Sequence, residues 1–509
     1  MNADSKKKWF AYALLLLVAL SFRLFIALRL PNDEPDDGRV YSQIARNVLE
    51  QHVYSIESQA PYTPTLIRLP GYPLFIAAIY SIFGHGNNTA VRVVQAVLDT
   101  ITCALIAWAV FEWSRKRWAA MFALALAAVC PFTAIYVATI LTEVPTNFLA
   151  VAMVLTATFA FKSTMRKQVL VWWIVTGLVA GIAVLFRPDS GLFAAAIGLT
   201  LMLSSLRKFR EATLQAAVFS LAFCLVLVPW TIRNRRLFHV FQPLSPAHAE
   251  MPGEFVPRGY LLWVRTWLDD QRYVSPALWA MDMRQIHVED FPARAFDSKE
   301  ERDRVAALFE KYNHPDGDEA DEQQSADDQS DDSSGDEEEQ PEEEPEPEEH
   351  PEPADANVEM TPEIDAGFAQ IGQERVAHSR LRYYVVLPFK RAMTLWFDTH
   401  SQYYPFNGEL LPLEDLDHDI HQQYWLPLFA GLTGIYTLLG VIGGWLLWRS
   451  GDRRWLLLAA LMIFLRLGFF ATLENPEPRY TVEIFPFLIM LGSTVGAAHR
   501  GRPGVQTFD

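Results

Sequence analysis

The chain has 509 residues, 51% of them hydrophobic and 13% aromatic, with a formal net charge of -17. That charge is local: residues 316–352 hold 20 acidic residues and no Lys or Arg, so the remainder carries +3. Without a basic stripe outside short loop clusters, nucleic-acid binding is excluded. The three cysteines, Cys103, Cys130 and Cys224, all sit in apolar runs, which excludes a disulfide framework or a CxxC metal site and makes them small buried hydrophobes.

The apolar residues come in blocks of about twenty, the length that crosses a bilayer core of ~30 Å at ~1.5 Å per residue. Lys6, Lys7 and Lys8 precede the first block, Trp9 to Leu30, which is long and lacks a small-residue cleavage site, so it reads as a retained span. Ten spans are expected in all, at roughly 9–30, 91–113, 118–138, 145–162, 169–186, 190–206, 212–231, 424–448, 455–473 and 480–498. Every second connection is basic: "SRKR" (114–117), "KSTMRK" (162–167), "RKFR" (207–210), "RSGDRR" (449–454) and "HRGR" (499–502). By the positive-inside rule these connections and both termini are cytoplasmic, as in a multi-pass membrane protein.

Two segments on the other side are large. In residues 31–90, Tyr41, Ile44, Ala45, Val48, Leu49 and Val53 recur at helical spacing, with Arg46, Asn47, Glu50 and Gln51 opposite. This is an amphipathic helix beside a span, placed in the membrane interface. "GYPLFIAAIYSIFG" (71–84) is apolar but short, and reads as interfacial or re-entrant. The second segment, 232–423, contains an insertion at about 298–362 whose Glu, Asp, Pro and Ser content predicts disorder. A chain lacking 315–353 is expected to fold and keep its activity; loss of either would make the tract more than a passive insertion.

Ionisable groups near spans are costly and tend to face a cavity. On the outer side the sequence gathers Asp36, Asp37, Arg68, Arg92, Glu143, Arg187, Asp189, Arg233, Arg391, Glu474, Glu477 and Arg479. Guanidinium groups suit phosphate through forked, charge-assisted hydrogen bonds, and a carboxylate among them suits general-base work on a hydroxyl. A phosphate at the membrane surface suggests a lipid-linked substrate. Structural readings compete. Asp37 precedes a helix and is equally a candidate N-cap; Glu143 precedes Pro145 near a helix start, where an acid is favourable; Arg187, Arg233 and Arg479 are candidate interface anchors. The twelve histidines show no paired ligand spacing, and "HDIH" (418–421) reads as a loop.

Five stretches, in order, resemble the GT-C class of membrane glycosyltransferases. They are "DDGRVYSQIARNVLEQHVYS" (36–55), "RLPGYPLFIAAIYSIFG" (68–84), "ILTEVPTNFL" (140–149), "VPWTIRNRRLFHVFQPLS" (228–245) and "EPRYTVEIFPFLIML" (477–491). The nearest relatives this implies are bacterial transferases similar to protein O-mannosyltransferases and to aminoarabinose transferases. The resemblance covers the first seven spans and the C-terminal spans, and fails across the acidic insertion. It implies an all-α polytopic bundle of about ten helices and a hexosyl- or pentosyl-type transferase. The donor would be a polyprenyl-phosphate sugar and the acceptor a lipid, glycan or protein hydroxyl. Counting four back from Tyr41, the family's first-loop acid falls on Asp37, with Asp36 as alternative; Gly38 stands where many relatives have Glu. The resemblance makes Asp37 the base, Glu143 a second acidic site that orients the acceptor or holds the sugar or a divalent metal, and Arg68, Arg92, Arg187, Arg233, Arg391, Arg479, Tyr41 and Tyr480 contacts of the lipid phosphate or sugar. No other cofactor is implied. The rival readings are a transporter or flippase of lipid-linked sugars, which would need charged or broken-helix features at mid-membrane, and an inactive scaffold. Arg466 is the main mid-span charge noted.

Overall fold

A computed structural model describes residues 3–29, 36–248, 250–315, 358–398, 420–451 and 453–495, and contains no strand among them. The chain divides into two compact units. The first comprises 1–254, 395–470 and 477–509; the second comprises 255–394 and 471–476.

The first unit begins with α1 (Ala3–Arg29), α2 (Asp36–Glu50), α3 (Gly71–Phe83), α4 (Asn88–Ser114), α5 (Arg117–Ala128) and α6 (Pro131–Ala134), the last continuing as a 3-10 turn to Ala138. It goes on with α7 (Glu143–Lys162), α8 (Arg166–Phe186), α9 (Gly191–Ser204) and α10 (Phe209–Phe238). Seven helices among the described residues are long and apolar enough to cross a membrane, or eight if α5 and α6, bent by 51° at their break, form one span. The all-α membrane architecture is as expected; among the described residues, seven or eight of the roughly ten expected spans are single helices long and apolar enough to cross. Within 190–206 helix α9 runs only from Gly191 to Ser204, and the described part of 480–498 holds the rest of a 3-10 stretch, Pro478–Ile484, and a brief helix, Phe485–Gly492. Prolines at 478 and 486 and the residues packed around Glu483 divide what hydropathy alone reads as one run.

Packing in this unit depends on two glycines one helical turn apart. A Cβ on Gly177 would lie 2.3 Å from the Phe219 carbonyl oxygen, and one on Gly181 would lie 2.7 Å from that of Phe223. Small residues at this spacing let α8 and α10 approach closely, which is how helices associate where lipid removes the hydrophobic drive. Gly177→Val is expected to force these helices apart and cost roughly 1–3 kcal/mol; an unchanged thermal unfolding curve in detergent would refute this close packing. The lipid-sized apolar side chains Leu221 and Leu225 are exposed on α10, and so is Cys224. Cys224 therefore departs from the expected burial of all three cysteines, because it faces outward on a span whose surroundings are apolar, while Cys103 and Cys130 are buried.

A buried charge pair crosses the first two long helices. Arg23 Nε donates to Asp99 Oδ2 at 2.6 Å, while its terminal nitrogens donate to the carbonyls of Ala127 and Ala128, both at 3.0 Å. Those carbonyls end α5 at the break, where a helix leaves acceptors unpaired. Arg23 thus satisfies the broken helix, and Asp99 supplies the counter-charge that burial requires.

In the second unit, α11 (Arg258–Arg265), α12 (Lys299–Asn313) and α13 (Pro362–His378) surround an aromatic core of Tyr260, Trp263, Trp267, Phe291, Phe309 and Phe368. Two of these helices narrow the expected disordered insertion. Residues 299–313 form a capped helix whose Val305, Phe309 and Tyr312 are buried, and residue 362 opens another. Counting charge hid that apolar stripe. Residues 316–357, which hold the acidic run, lie outside the described residues. Helix α14 (Leu387–Phe397) carries Arg391, and the first unit resumes with α15 (Ile420–Ser450), α16 (Arg453–Ala471) and α17 (Phe485–Gly492).

Candidate active site

Seven of the polar groups gathered by sequence, Asp37, Arg68, Glu143, Arg187, Asp189, Glu477 and Arg479, come together in the first unit. The loop 51–70 is pinned from inside: Asn47 donates to the carbonyls of Ser55 and Glu57, and the Tyr54 hydroxyl donates to those of Arg68 and Leu69. That fixes Arg68 opposite the start of α2, where its Nη2 meets Asp37 Oδ1 at 2.8 Å. Arg479, on the 3-10 stretch 478–484, lies 3.6 Å from the other Asp37 oxygen and 2.9 Å from Glu477 Oε2. Asp37 is part-exposed, so its carboxylate is reachable. The side chain of Asp36 lies outside the described residues.

A second, deeper cluster adjoins. The turn "RPDS" after α8 sets Arg187 and Asp189 side by side, Nε to Oδ2 at 3.1 Å. Arg187 Nη1 reaches Glu143 Oε1 at 2.9 Å, at the start of α7, and Glu483 Oε1 at 3.0 Å. Arg466, fully buried on α16, joins Glu483 Oε2 at 2.8 Å and Asp189 Oδ2 at 3.1 Å. Tyr480 links the two clusters: the guanidinium carbons of Arg187 and Arg479 lie 5.3 Å and 5.2 Å from its ring centre, and Phe470 stacks on it at 4.6 Å. Tyr41 packs edge-on against Tyr72 at 5.1 Å. Burial, followed by the Asp37 charge, pushes its phenol up to about 12, so it stays a neutral hydrogen-bonding group at neutral pH.

Four arginines therefore face five carboxylates: Asp37, Glu143, Asp189, Glu477 and Glu483. Three side-chain atoms in the deep cluster, Glu143 Oε2, Asp189 Oδ1 and Arg466 Nη1, are buried without a hydrogen-bond partner in the structure. Groups of that kind normally find partners, and here they are available to a ligand's hydroxyls or anionic oxygens. Among the described residues no three His, Cys, Asp or Glu side chains converge as metal ligands, and Glu143 lies against Arg187.

The remaining expected contacts lie elsewhere. Arg92 bonds Asn88 and Thr89 of its own helix. Arg233 donates to the Thr65 carbonyl at 2.9 Å and rests among the rings of Tyr54, Trp230 and Phe238. Arg391 belongs to the second unit, where it is buried and donates to the carbonyls of Leu268 and Arg265. Glu474 also belongs to that unit and pairs with Arg265 at 2.7 Å. Glu483 was not anticipated, because it sits inside the apolar run "TVEIFPF". The available signal was a buried acid and a buried arginine, Glu483 and Arg466, each of which needs an opposite charge.

Residues 64–232 match the family model described as dolichyl-phosphate-mannose-protein mannosyltransferase. This stretch, about a third of the chain, contains Arg68, Glu143, Arg187 and Asp189, and bears out the resemblance drawn from the motifs there. No curated protein sequence matches the chain. Among solved structures, the archaeal oligosaccharyltransferase AglB from Archaeoglobus fulgidus, in complex with an inhibitory peptide and a dolichol-phosphate, is 12% identical with a TM-score of 0.49. That match covers 96% of this chain and 50% of that one. ArnT from Cupriavidus metallidurans bound to undecaprenyl phosphate is 15% identical with a TM-score of 0.41, covering 97% of this chain and 79% of that one. The chain spans about half the length of the AglB chain it matches.

Glu477 gives the site a pH response. It is fully buried, and burial, opposed by Arg479, raises its carboxyl to about 7 from the ordinary 4.5; Glu143 and Asp37 push it up and Arg187 pulls it down. Below about pH 4.5 the carboxyl is protonated in folded and unfolded chains alike. Between 4.5 and 7 the unfolded chain loses the proton first, so folding stability falls as pH rises, and the loss is complete above 7. Glu477→Gln is expected to flatten that decline in melting temperature across pH 4.5–7; a slope equal to the wild type would show that Glu477 titrates normally.

Proposed function

We propose that this chain is a GT-C-class glycosyltransferase that moves a sugar from a polyprenyl-phosphate donor to an acceptor hydroxyl at the outer face of the membrane. The observation that carries this reading is the part-exposed Asp37 carboxylate held between Arg68 and Arg479, beside a buried Arg187–Arg466 network. A base and phosphate-binding cations within one cluster are what displacement of a lipid phosphate requires. The family match over 64–232 and the motif order support the same class.

In the proposed reaction Asp37 takes the proton of the acceptor hydroxyl. The acceptor oxygen attacks the anomeric carbon as the bond from that carbon to the phosphate oxygen breaks, and the electron pair leaves with the polyprenyl phosphate. Arg68 and Arg479 stabilise the charge that develops on the departing phosphate, an electrostatic contribution that is usually the largest single one. Glu143, through its unpartnered oxygen, orients a hydroxyl of sugar or acceptor. One direct displacement inverts the anomeric centre.

The test uses the purified full-length chain in detergent, a panel of radiolabelled polyprenyl-phosphate sugars, and an envelope fraction as acceptor. Label transfer with inversion is expected for at least one donor. Tight donor binding without transfer from any donor would overturn the enzyme reading in favour of a lipid-sugar carrier or scaffold.

A further inference from the structure

The helices that present the site at one end form a different feature at the other. Glu143 and Lys162 are the first and last residues of α7, so their ends lie ~30 Å apart. Around the far end is a cavity of about 800 Å³. Its lining includes Arg166, Lys208, Arg210 and Arg454 against a single acid, Glu211. Glu211 offsets little, since it lies 3.8 Å from Lys208 and both are exposed. Two helices begin on the cavity, α8 at Arg166 and α10 at Phe209, and helix starts carry partial positive charge and free N–H groups. Part of the lining is apolar, formed by Phe161, Val169, Leu170 and Leu214. Arg454 is fixed over the Phe161 ring at 5.0 Å.

The depth of this cavity in a bilayer follows from its neighbours. On the adjoining turn between α15 and α16, Arg449 lies 4.2 Å from the centre of the Trp445 ring and Arg453 lies 4.9 Å from that of Trp448. Both tryptophans are exposed. Exposed Trp with Arg marks the headgroup level of a membrane.

We infer that this cavity binds a phosphate-bearing anion, presented at headgroup depth with an apolar body against Phe161 and Leu170, at a site separate from the transfer site. The shared chemistry is a phosphate group; its source is an acidic phospholipid or a soluble phosphate. The cations supply the affinity, and the apolar wall favours the lipid.

The experiment compares full-length wild type, the triple variant Arg166→Gln/Lys208→Gln/Arg210→Gln, and a control with Arg235→Gln/Arg236→Gln at the other end of α10. Each is placed in mixed phosphatidylglycerol and phosphatidylcholine, and retained lipid is counted by native mass spectrometry. In parallel, melting temperature in detergent is followed with inorganic phosphate. Wild type and control are expected to retain phosphatidylglycerol at least ~10-fold over phosphatidylcholine, and the triple variant to lose that preference. A phosphate-dependent rise in melting temperature, lost in the triple variant and without lipid preference, would support the site with a soluble ligand. No preference and no phosphate effect in wild type, or equal losses in control and triple variant, would overturn the proposal. A triple variant that fails to fold is replaced by Arg210→Gln alone, whose retained ratio must fall while that of the control does not.

Discussion

Asp37→Asn is expected to lower label transfer by roughly 10²–10⁴-fold, the usual share of a positioned general base, while leaving the chain folded. The two readings of Asp37 left open by sequence separate cleanly in this variant. Asparagine caps a helix about as well as aspartate, so a capping role predicts little change in either activity or melting temperature. A catalytic role predicts a loss of kcat with the melting temperature kept within a few degrees. The geometry leans on the second outcome, because the Asp37 carboxylate is engaged by Arg68 at 2.8 Å and faced by Arg479 at 3.6 Å. Retained transfer in Asp37→Asn would move the base to another acid; Glu143→Gln is then the next variant, since Glu143 has an oxygen without a partner.

Arg466→Met is expected to be the most destabilising single change at the site. Its Nη2 serves both Glu483 and Asp189, and its Nε donates to the Tyr480 carbonyl at 2.8 Å. Removing it strands buried carboxylates, and breaking a buried pair in this way costs about 3–5 kcal/mol. Transfer should fall with it, because Arg187 would then carry Glu143, Asp189 and Glu483 alone. The double variant Arg466→Met/Glu483→Gln should recover part of the lost stability, since it removes one of the orphaned charges. A single variant that melts like wild type, or a double variant no better than the single, would show that this network does not hold the site.

Much of the site was legible because acids and arginines at span ends are unusual enough to notice. Asp37, Arg68, Glu143, Arg187, Asp189, Glu477 and Arg479 all join the two clusters, together with Tyr480. What escaped notice was charge inside apolar runs. Arg23, Asp99 and Glu483 each lie among hydrophobic neighbours, so a hydropathy window absorbs them; only the fold shows that Arg23 meets Asp99 and Glu483 meets Arg466. Arg391 failed in the opposite way. Its position suited the outer segment, but its guanidinium is spent on carbonyls inside the second unit. The helix 299–313 was missed because abundant charge masked Val305, Phe309 and Tyr312, which is a stripe at helical spacing.

Under the proposed reaction, the excess of fixed carboxylates over arginines has a consequence for turnover. Each of the four guanidiniums already faces a carboxylate, so beyond an unpartnered atom such as Arg466 Nη1 an arriving phosphate is accommodated by exchange: it takes a cation from a carboxylate, which must swing away or take up a proton. A donor phosphodiester carries about one negative charge, whereas the released phosphomonoester carries roughly 1.5 to 2 near neutral pH. In an unpaired arginine pocket the product would hold more tightly than the donor and choke the enzyme. Here the displaced carboxylates compete for the same cations, and the more highly charged product has more of them to displace.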